Sequence, residues 1–282
     1  MKVLVLGASG LLAKPVIQHF DEAGFELRLF SRSVNASMFE KPYELMQGDV
    51  FKPEDLDKAM DGCDAVHITI SKVDENLSTQ AIIAAAKKHD IQLISMISGC
   101  TVAEENRWFK MIDNKWKAEQ TLINSSIPYM IFRPTWFFES LGFFVRNGRA
   151  SLLGKQPNPY RWLAAHDMGR MITTAYLKQA ARNKIFFIFG PQKLLMKDVL
   201  EKYVEDRHPE INKVSVAPMW MMRVIAFLSG NKQLKMATDL FSYFQKVQEL
   251  GDASETNELL GKPETTFEKW LKGVNSNQAV LA

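Results

Sequence analysis

The first 134 residues alternate between two kinds of apolar pattern. Short β-branched or leucine-rich runs read as strands: KVLVLG at 2–7, ELRLFSR at 26–32, ELMQGD at 44–49, DAVHITIS at 64–71, IQLISMISG at 91–99 and IPYMIFRP at 127–134. Between them lie stretches with helical spacing. One covers 10–24 and ends in Gly24, and another covers 53–62, with Pro53 in its first turn and Gly62 at its end. Two more cover 75–90 and 105–125. Strands joined by helices through short connections run parallel, and right-handed crossovers put the helices on both faces. The predicted fold class is α/β, a doubly wound, mostly parallel Rossmann sheet.

Beyond Pro134 the rhythm breaks. Residues 135–163 are aromatic and proline-bearing, a helix over 167–180 and a strand over 184–189 return to the sheet, and 191–282 reads mainly helical, closed by an amphipathic helix at 264–273. This predicts one compact unit. Its Rossmann core is 1–134 with 164–190, and a smaller, mainly helical substrate lobe takes 135–163 and 191–282.

Composition excludes several classes of function. Of 282 residues, 46% are hydrophobic and 24% charged, as in ordinary globular proteins. The net charge is only +3, and the longest basic cluster, Lys87-Lys88-His89, reads as a solvated helix end, so no nucleic-acid partner is expected. The most apolar later stretch, MWMMRVIAFLSG from Met219, is interrupted by Arg223 and too short to span a bilayer, so no membrane partner is expected either. Cys63 and Cys100 form neither a disulfide framework nor a metal-ligand spacing, and no metal is expected. The chain opens directly into a strand and a glycine turn, without the pattern of a signal peptide, which predicts a cytoplasmic protein. Monomer and homodimer are equally compatible with the sequence.

The sharpest local signal is GASGLLA, Gly7 to Ala13, between the first strand and the first helix. Gly7 permits a tight turn, Gly10 lets backbone approach a pyrophosphate, and Ala13 lets the helix lie close on the sheet. The helix start then offers N–H groups and a positive dipole end to phosphate, with Ala8, Ser9, Leu11 and Leu12 completing the turn. At the end of the second strand an NAD site would carry a carboxylate for the ribose hydroxyls. This chain has Ser31 and Arg32, a pair suited to a 2′-phosphate, so NADP(H) is favoured over NAD(H).

Taken in order, GASGLLA, the SR after the second strand, GD at 48–49, KAE at 117–119 and IFRPTWFFESL at 131–141 resemble the NmrA-like atypical short-chain dehydrogenase/reductases. AAHDMGRMI at 164–172, GPQKLLMKDV at 190–199 and LGKPETTFEKWL at 260–271 extend the resemblance over nearly the whole chain. It implies a two-lobed Rossmann protein with the substrate cleft at the carboxyl ends of the strands. It further implies that Asp49 contacts the adenine, that Thr69, Ile70 and Ser71 pass beneath the cofactor, and that Ser98 and Gly99 border the nicotinamide. Lys117 would reach the nicotinamide ribose, Pro134, Thr135, Trp136 and Phe137 would wall the nicotinamide, and Asp167 would tether the chain at a helix start.

Many relatives keep a tyrosine four residues before the lysine, on the same helical face, where the lysine lowers the phenol's pKa and the phenol protonates a carbonyl. Here that position is Asp113, whose carboxylate reads as an ion-pair partner for Lys117. A quinone or other conjugated acceptor tolerates this loss, because hydride addition gives a delocalised anion. An apolar slot for it is expected from Trp136, Phe137, Phe138, Phe143, Phe144 and the Met/Trp run at 219–222, with Cys100, Tyr160, His166 and Trp220 as further pocket candidates. Tyr129 is a second phenol that folding could bring in, and His67 reads as a core histidine. The leading expectation is an NADP(H)-dependent reductase of a small conjugated acceptor such as a quinone, with Lys117 as the catalytic-site lysine. The alternative is a non-catalytic, redox-sensing regulator that binds the dinucleotide and acts through a protein partner.

Overall fold

A computed structural model describes residues 1–70 and 74–273. Up to Pro134 the chain runs β1 (Lys2–Leu6), α1 (Ala13–Glu22), β2 (Glu26–Ser31), β3 (Glu44–Gln47), α2 (Pro53–Met60), β4 (Ala65–Ile68), α3 (Glu75–Lys88), β5 (Leu93–Ile97), α4 (Lys110–Ile123) and β6 (Tyr129–Pro134). It continues through β7 (Val145–Arg146), β8 (Arg149–Leu153), β9 (Tyr160–Trp162), α5 (Ala165–Tyr176), β10 (Lys184–Ile188) and β11 (Gln192–Leu194). The last elements are α6 (Met196–Arg207), β12 (Val214–Ala217), α7 (Met219–Ser229), α8 (Lys232–Phe244), α9 (Ser254–Leu260) and α10 (Phe267–Gly273). Two compact units result: Met1–Pro134 with Ala165–Ile188 and Gly251–Lys262, and Thr135–Ala164 with Phe189–Leu250 and the chain from Pro263.

The first unit is a seven-stranded sheet in the order β10-β6-β5-β4-β1-β2-β3, with every pairing parallel. The order reverses at β1, where the chain steps outward through β2 and β3 and returns on the other side at β4. A doubly wound Rossmann sheet is therefore what the chain forms. Strand side chains alternate between faces. Leu4, Leu6, Val66, Ile68, Ile94, Met96 and Ile131 all enter one buried cluster with Leu56, Ile82, Ile83 and Leu122 from the helices of that side.

The intervening positions point to the opposite face, and there the core is partly polar. His67 Nδ1 lies 2.6 Å from Ser95 Oγ, Ser95 Oγ lies 2.7 Å from the Tyr176 hydroxyl, and that hydroxyl donates to the Val66 carbonyl at 3.4 Å. Since a carbonyl only accepts, the chain orders itself as His67 Nδ1–H to Ser95 to Tyr176 to Val66, which leaves His67 Nε2 as a buried acceptor without a partner among the described residues. Phe20 packs edge-on to both His67 and Tyr176. Desolvation drives the His67 pKa down from 6.5 to about 3. The core histidine expected from the sequence is thus held neutral.

Several boundaries differ from those read in the sequence. The long helix expected over 105–125 is a single 3-10 turn, Glu104–Asn106, followed by α4. Asn106 is buried and donates its side-chain amide to the Thr101 carbonyl at 2.9 Å, and Phe109 is extended, so the turn cannot propagate into the helix. β3 stops at Gln47, and the next residue, Gly48, lies under Phe30, where a Cβ would come within 2.5 Å of the ring. Residues 251–262, placed by sequence in the substrate lobe, belong to the first unit: Lys178 Nζ donates to the Leu259 carbonyl at 2.7 Å and Arg170 Nη2 to that of Lys262 at 2.8 Å.

The second unit is less helical than its sequence suggests. β12 pairs in parallel with β8, β7 pairs antiparallel with β8, and β11 pairs antiparallel with β9. Its core joins Phe138, Tyr160, Trp162, Phe241, Phe267 and Trp270 with Leu152, Met196 and Leu200. Among the described residues, no helix is long and apolar enough to cross a membrane.

Because the unfolded chain protonates His67 before the folded chain does, stability is full above pH 6.5 and declines as pH falls toward about 3. One such group contributes a slope of at most about 1.4 kcal/mol per pH unit. Acid titration of chemical unfolding should show this slope in the native chain and lose it in His67→Leu. Tyr176→Phe, which strips the relay of the hydroxyl that passes it on to Val66, should cost about 1–3 kcal/mol at neutral pH.

Candidate cofactor site

Parallel strands place their carboxyl ends on one edge, and the sequence-predicted cofactor residues of the first unit follow those ends in turn. Gly7 follows β1, Arg32 follows β2, Asp49 follows β3, Thr69 follows β4, Ser98 follows β5, and Pro134 ends β6. At the centre, Gly7 has φ +86°, and a Cβ there would lie 2.9 Å from the Thr69 hydroxyl. Thr69 fixes this approach by donating its hydroxyl to the Leu6 carbonyl at 2.8 Å, while its own N–H donates to the same carbonyl at 2.9 Å. The N–H groups of Gly7 and Ala8 are both taken by the Phe30 carbonyl, which joins the glycine turn to the end of β2.

What remains is a set of unused donors. Gly10 N–H closes the turn on Gly7 and Ala13 N–H closes on Gly10, but among the described residues the N–H groups of Ser9, Leu11 and Leu12 meet no acceptor. α1 carries no side-chain cap and no acidic residue in its first turn. An uncapped helix start with several free N–H groups fits an anion. Around Gly10 an added Cβ would meet only backbone, 3.1 Å from the Gly7 carbonyl, so its missing side chain keeps the cradle open.

Arg32 is exposed, and its guanidinium forms no hydrogen bond or ion pair with the described residues. Beside it Ser31 is buried and accepts the Ser33 N–H at 3.3 Å. Ser33, which sequence reasoning passed over, reaches Ser9 with its hydroxyl at 3.3 Å and so stands between the glycine turn and Arg32. Asp49 accepts the Phe51 N–H at 3.0 Å, shaping the loop after β3. Ile70 is half-buried at the end of β4, and Ser71 lies outside the described residues.

On α4, Lys117 Nζ lies 2.6 Å from Asp113 Oδ2, one helical turn away. Arg107 holds the other carboxylate oxygen at 2.7 Å and stacks on Trp116. The hydrogen bonds from Lys117 and Arg107 keep the Asp113 carboxyl below the usual carboxylate range, so it is ionised at neutral pH. Two residues on, Glu119 is fully buried and forms a two-pronged ion pair with Arg133 of β6, while the Ser98 hydroxyl donates to it. The KAE motif thus ends in a carboxylate that locks β5, β6 and α4 together at Ser98. Sequence reading quoted Glu119 only as part of the KAE motif, and neither its burial nor its partners were read from it. Gly99 separates Ser98 from Cys100, which is buried with its N–H on the Pro134 carbonyl at 2.9 Å.

Several expected pocket residues are placed otherwise. His166 sits in the first turn of α5 with its ring 3.2 Å from His19, in the last turn of α1. Because α1 runs antiparallel to the strands, this is the end of the helix away from the glycine turn. Burial and the His166 charge lower the His19 pKa. Tyr129 begins β6, also at the far edge of the sheet. In the second unit Phe138 and Tyr160 are fully buried, and the Tyr160 phenol donates to the Phe244 and Val247 carbonyls, so neither offers a free face. Phe143 and Trp220 are exposed, Phe144 packs edge-on to Phe241, and Asp167 is buried in the first turn of α5. Trp136 stacks among Phe241, Phe244 and Trp162, Phe137 is buried beside it, and Thr135 donates to Glu249. Glu249 was missed by sequence. It is almost fully buried and also takes both the N–H and the Nε–H of Arg161, at 2.8 and 2.9 Å.

This glycine turn and its strand order are those of a dinucleotide site, and the NAD(P)H-binding family matches residues 7–147. The chain belongs to that family. The NmrA-like, NAD(P)-binding Rossmann resemblance read from its motifs agrees with this. A photosystem II assembly factor, Ycf39 of Trieres chinensis, is 22% identical over 275 residues, covering 92% of this chain and 82% of that protein. Among solved structures, Citrobacter sp. triphenylmethane reductase complexed with NADP(H) matches with a TM-score of 0.77 at 16% identity, covering 97% of this chain and 99% of that one. The Escherichia coli NADPH-dependent quinone oxidoreductase complexed with NADPH matches with a TM-score of 0.74 at 17% identity, covering 97% and 100%. At these identities the structures show a shared fold.

If the free N–H groups hold the pyrophosphate, filling the cradle should weaken binding of either nicotinamide cofactor without unfolding the chain. Gly10→Val should lose about tenfold or more in affinity for both NADPH and NADH by fluorescence titration, with an unchanged far-ultraviolet dichroism spectrum.

Proposed function

We propose that this chain is a cytoplasmic NADP(H)-dependent reductase of a small conjugated acceptor such as a quinone, working without a tyrosine general acid. The observation that carries this reading is the state of Asp113. Bonded to both Lys117 and Arg107, it is an ionised carboxylate and has no proton to give. When bound, the nicotinamide supplies a hydride. The residues around it then need to bind, orient and exclude water rather than protonate. An acceptor whose reduced anion is delocalised asks for no more.

In this reading the Ser9, Leu11 and Leu12 N–H groups bind the pyrophosphate, and Thr69, Ile70, Ser98 and Gly99 border the cofactor. Lys117, steadied by Asp113, orients the ribose. The uncommitted Arg32, with Ser31 and Ser33 beside it, supports NADP(H) over NAD(H): a guanidinium meeting a 2′-phosphate gains about 1.5–3 kcal/mol, or roughly tenfold or more in affinity. The likeness to a quinone oxidoreductase and a triphenylmethane reductase supports a conjugated acceptor. A second reading, a dinucleotide-binding regulator that acts through a protein partner, draws on the same lost tyrosine and on the likeness to an assembly factor over most of the chain.

NADPH consumption followed by absorbance, with saturating cofactor and a panel of quinones and conjugated enones, separates the two. Turnover is expected for the reductase; tight binding with no turnover across the panel would favour the regulator. Asp113→Asn should retain turnover, whereas a loss of about 100-fold or more would make Asp113 the acid after all. Arg32→Ala should weaken NADPH about tenfold or more and leave NADH unchanged; equal losses would remove the case for NADP(H).

A further inference from the structure

α7 is the least buried helix of the second unit. Of its eleven residues, MWMMRVIAFLS, only Ala226 is buried. Trp220, Val224, Phe227 and Leu228 fall at helical spacing along one stripe, with Trp220 71%, Phe227 85% and Leu228 77% exposed. Met236 of α8 is exposed as well. An apolar surface of this size on one short helix is rarely left to water.

The charged residues along α7 and the first turns of α8 are cations. From Ile211 through Thr238 there is no aspartate or glutamate, but Lys213, Arg223, Lys232 and Lys235 are present. The three lysine side chains form no ion pair with the described residues, and Arg223 donates only to the Ser242 hydroxyl, at 2.8 Å. The first acid beyond is Asp239, on α8. Between α7 and the end of α8 a groove of about 460 Å³ has Met219 and Trp220 as apolar wall and Arg223 and Lys246 as cationic rim.

We propose that α7, with the start of α8, docks flat on an anionic lipid surface, with its apolar stripe among the acyl chains and its cations at the headgroup phosphates. Geometry requires lying rather than spanning: eleven helical residues reach only about 16 Å, roughly half the hydrocarbon thickness of a bilayer. Aromatic and leucine residues on one side with lysine and arginine beside them form the pattern of an interfacial helix. A second copy of this chain is disfavoured, because a two-fold contact would set Lys213, Arg223, Lys232 and Lys235 against their own copies with Asp239 as the one nearby acid of α8. This replaces the expectation that the chain has no membrane partner, and it does not depend on the reductase reading.

The test is co-sedimentation of the full chain with phosphatidylcholine vesicles, with and without phosphatidylglycerol. The proposal expects partitioning that requires the anionic lipid, falls with added salt, and is lost in Phe227→Ser/Leu228→Ser, while this variant still binds NADPH. Lys232→Glu/Lys235→Glu should weaken partitioning about thirtyfold or more. A native chain that stays in the supernatant with anionic vesicles overturns the proposal. So does equal partitioning of the Phe227/Leu228 variant, or a dimer in sedimentation velocity that this variant dissolves, which would assign the face to a second copy.

Discussion

At Gly7 the backbone leaves β1 with φ +86° and passes so close to Thr69 that a Cβ would sit 2.9 Å from its hydroxyl. This one crowded crossing sets the rest of the cofactor edge. It lets the turn close on itself through Gly10, sends the Gly7 and Ala8 N–H groups to Phe30, and leaves the Ser9, Leu11 and Leu12 N–H groups without an acceptor among the described residues. It also lies beside the strand-order reversal, where β1 has β2 on one side and β4 on the other. Loops diverge at such a point, so a ligand finds room there. A side chain at position 7 would push β1 and β4 apart and close that room.

The α4 region shows two carboxylates with opposite uses. Asp113 is partly exposed and shared between Lys117 and Arg107, which keeps its charge and holds the lysine in place. Glu119 is fully buried, and its charge is tolerable only because Arg133 meets it with a two-pronged pair and Ser98 adds a third hydrogen bond. The first keeps its charge on the exposed side of the helix. The second ties the end of β5 to β6 and α4.

Much of this was legible in the sequence. Period-two and period-3.6 patterns located the strands and helices before Pro134, because each buries a face defined by local spacing. The glycine turn was legible since only glycine meets its steric demand, and the i, i+4 pairing of Asp113 with Lys117 follows from helix geometry alone. Ser33 was passed over because its place beside Ser9 depends on how two loops meet. The short strands of the second unit escaped notice because β8 finds its partner β12 more than sixty residues later, and such pairing leaves no local period.

The sequence by itself thus determined the strand–helix alternation, the open phosphate turn, the arginine where an acid would stand and the missing tyrosine, all properties of residues near one another in the chain. Tertiary structure decided which polar groups were consumed. It turned His166 toward His19 at the wrong end of α1, bound the Tyr160 phenol to backbone, buried Glu119 and Glu249 against arginines, and left α7 bare. Burial and hydrogen-bond partnership are set by segments distant in sequence, and they decide whether a side chain is available for chemistry or already spent on the fold.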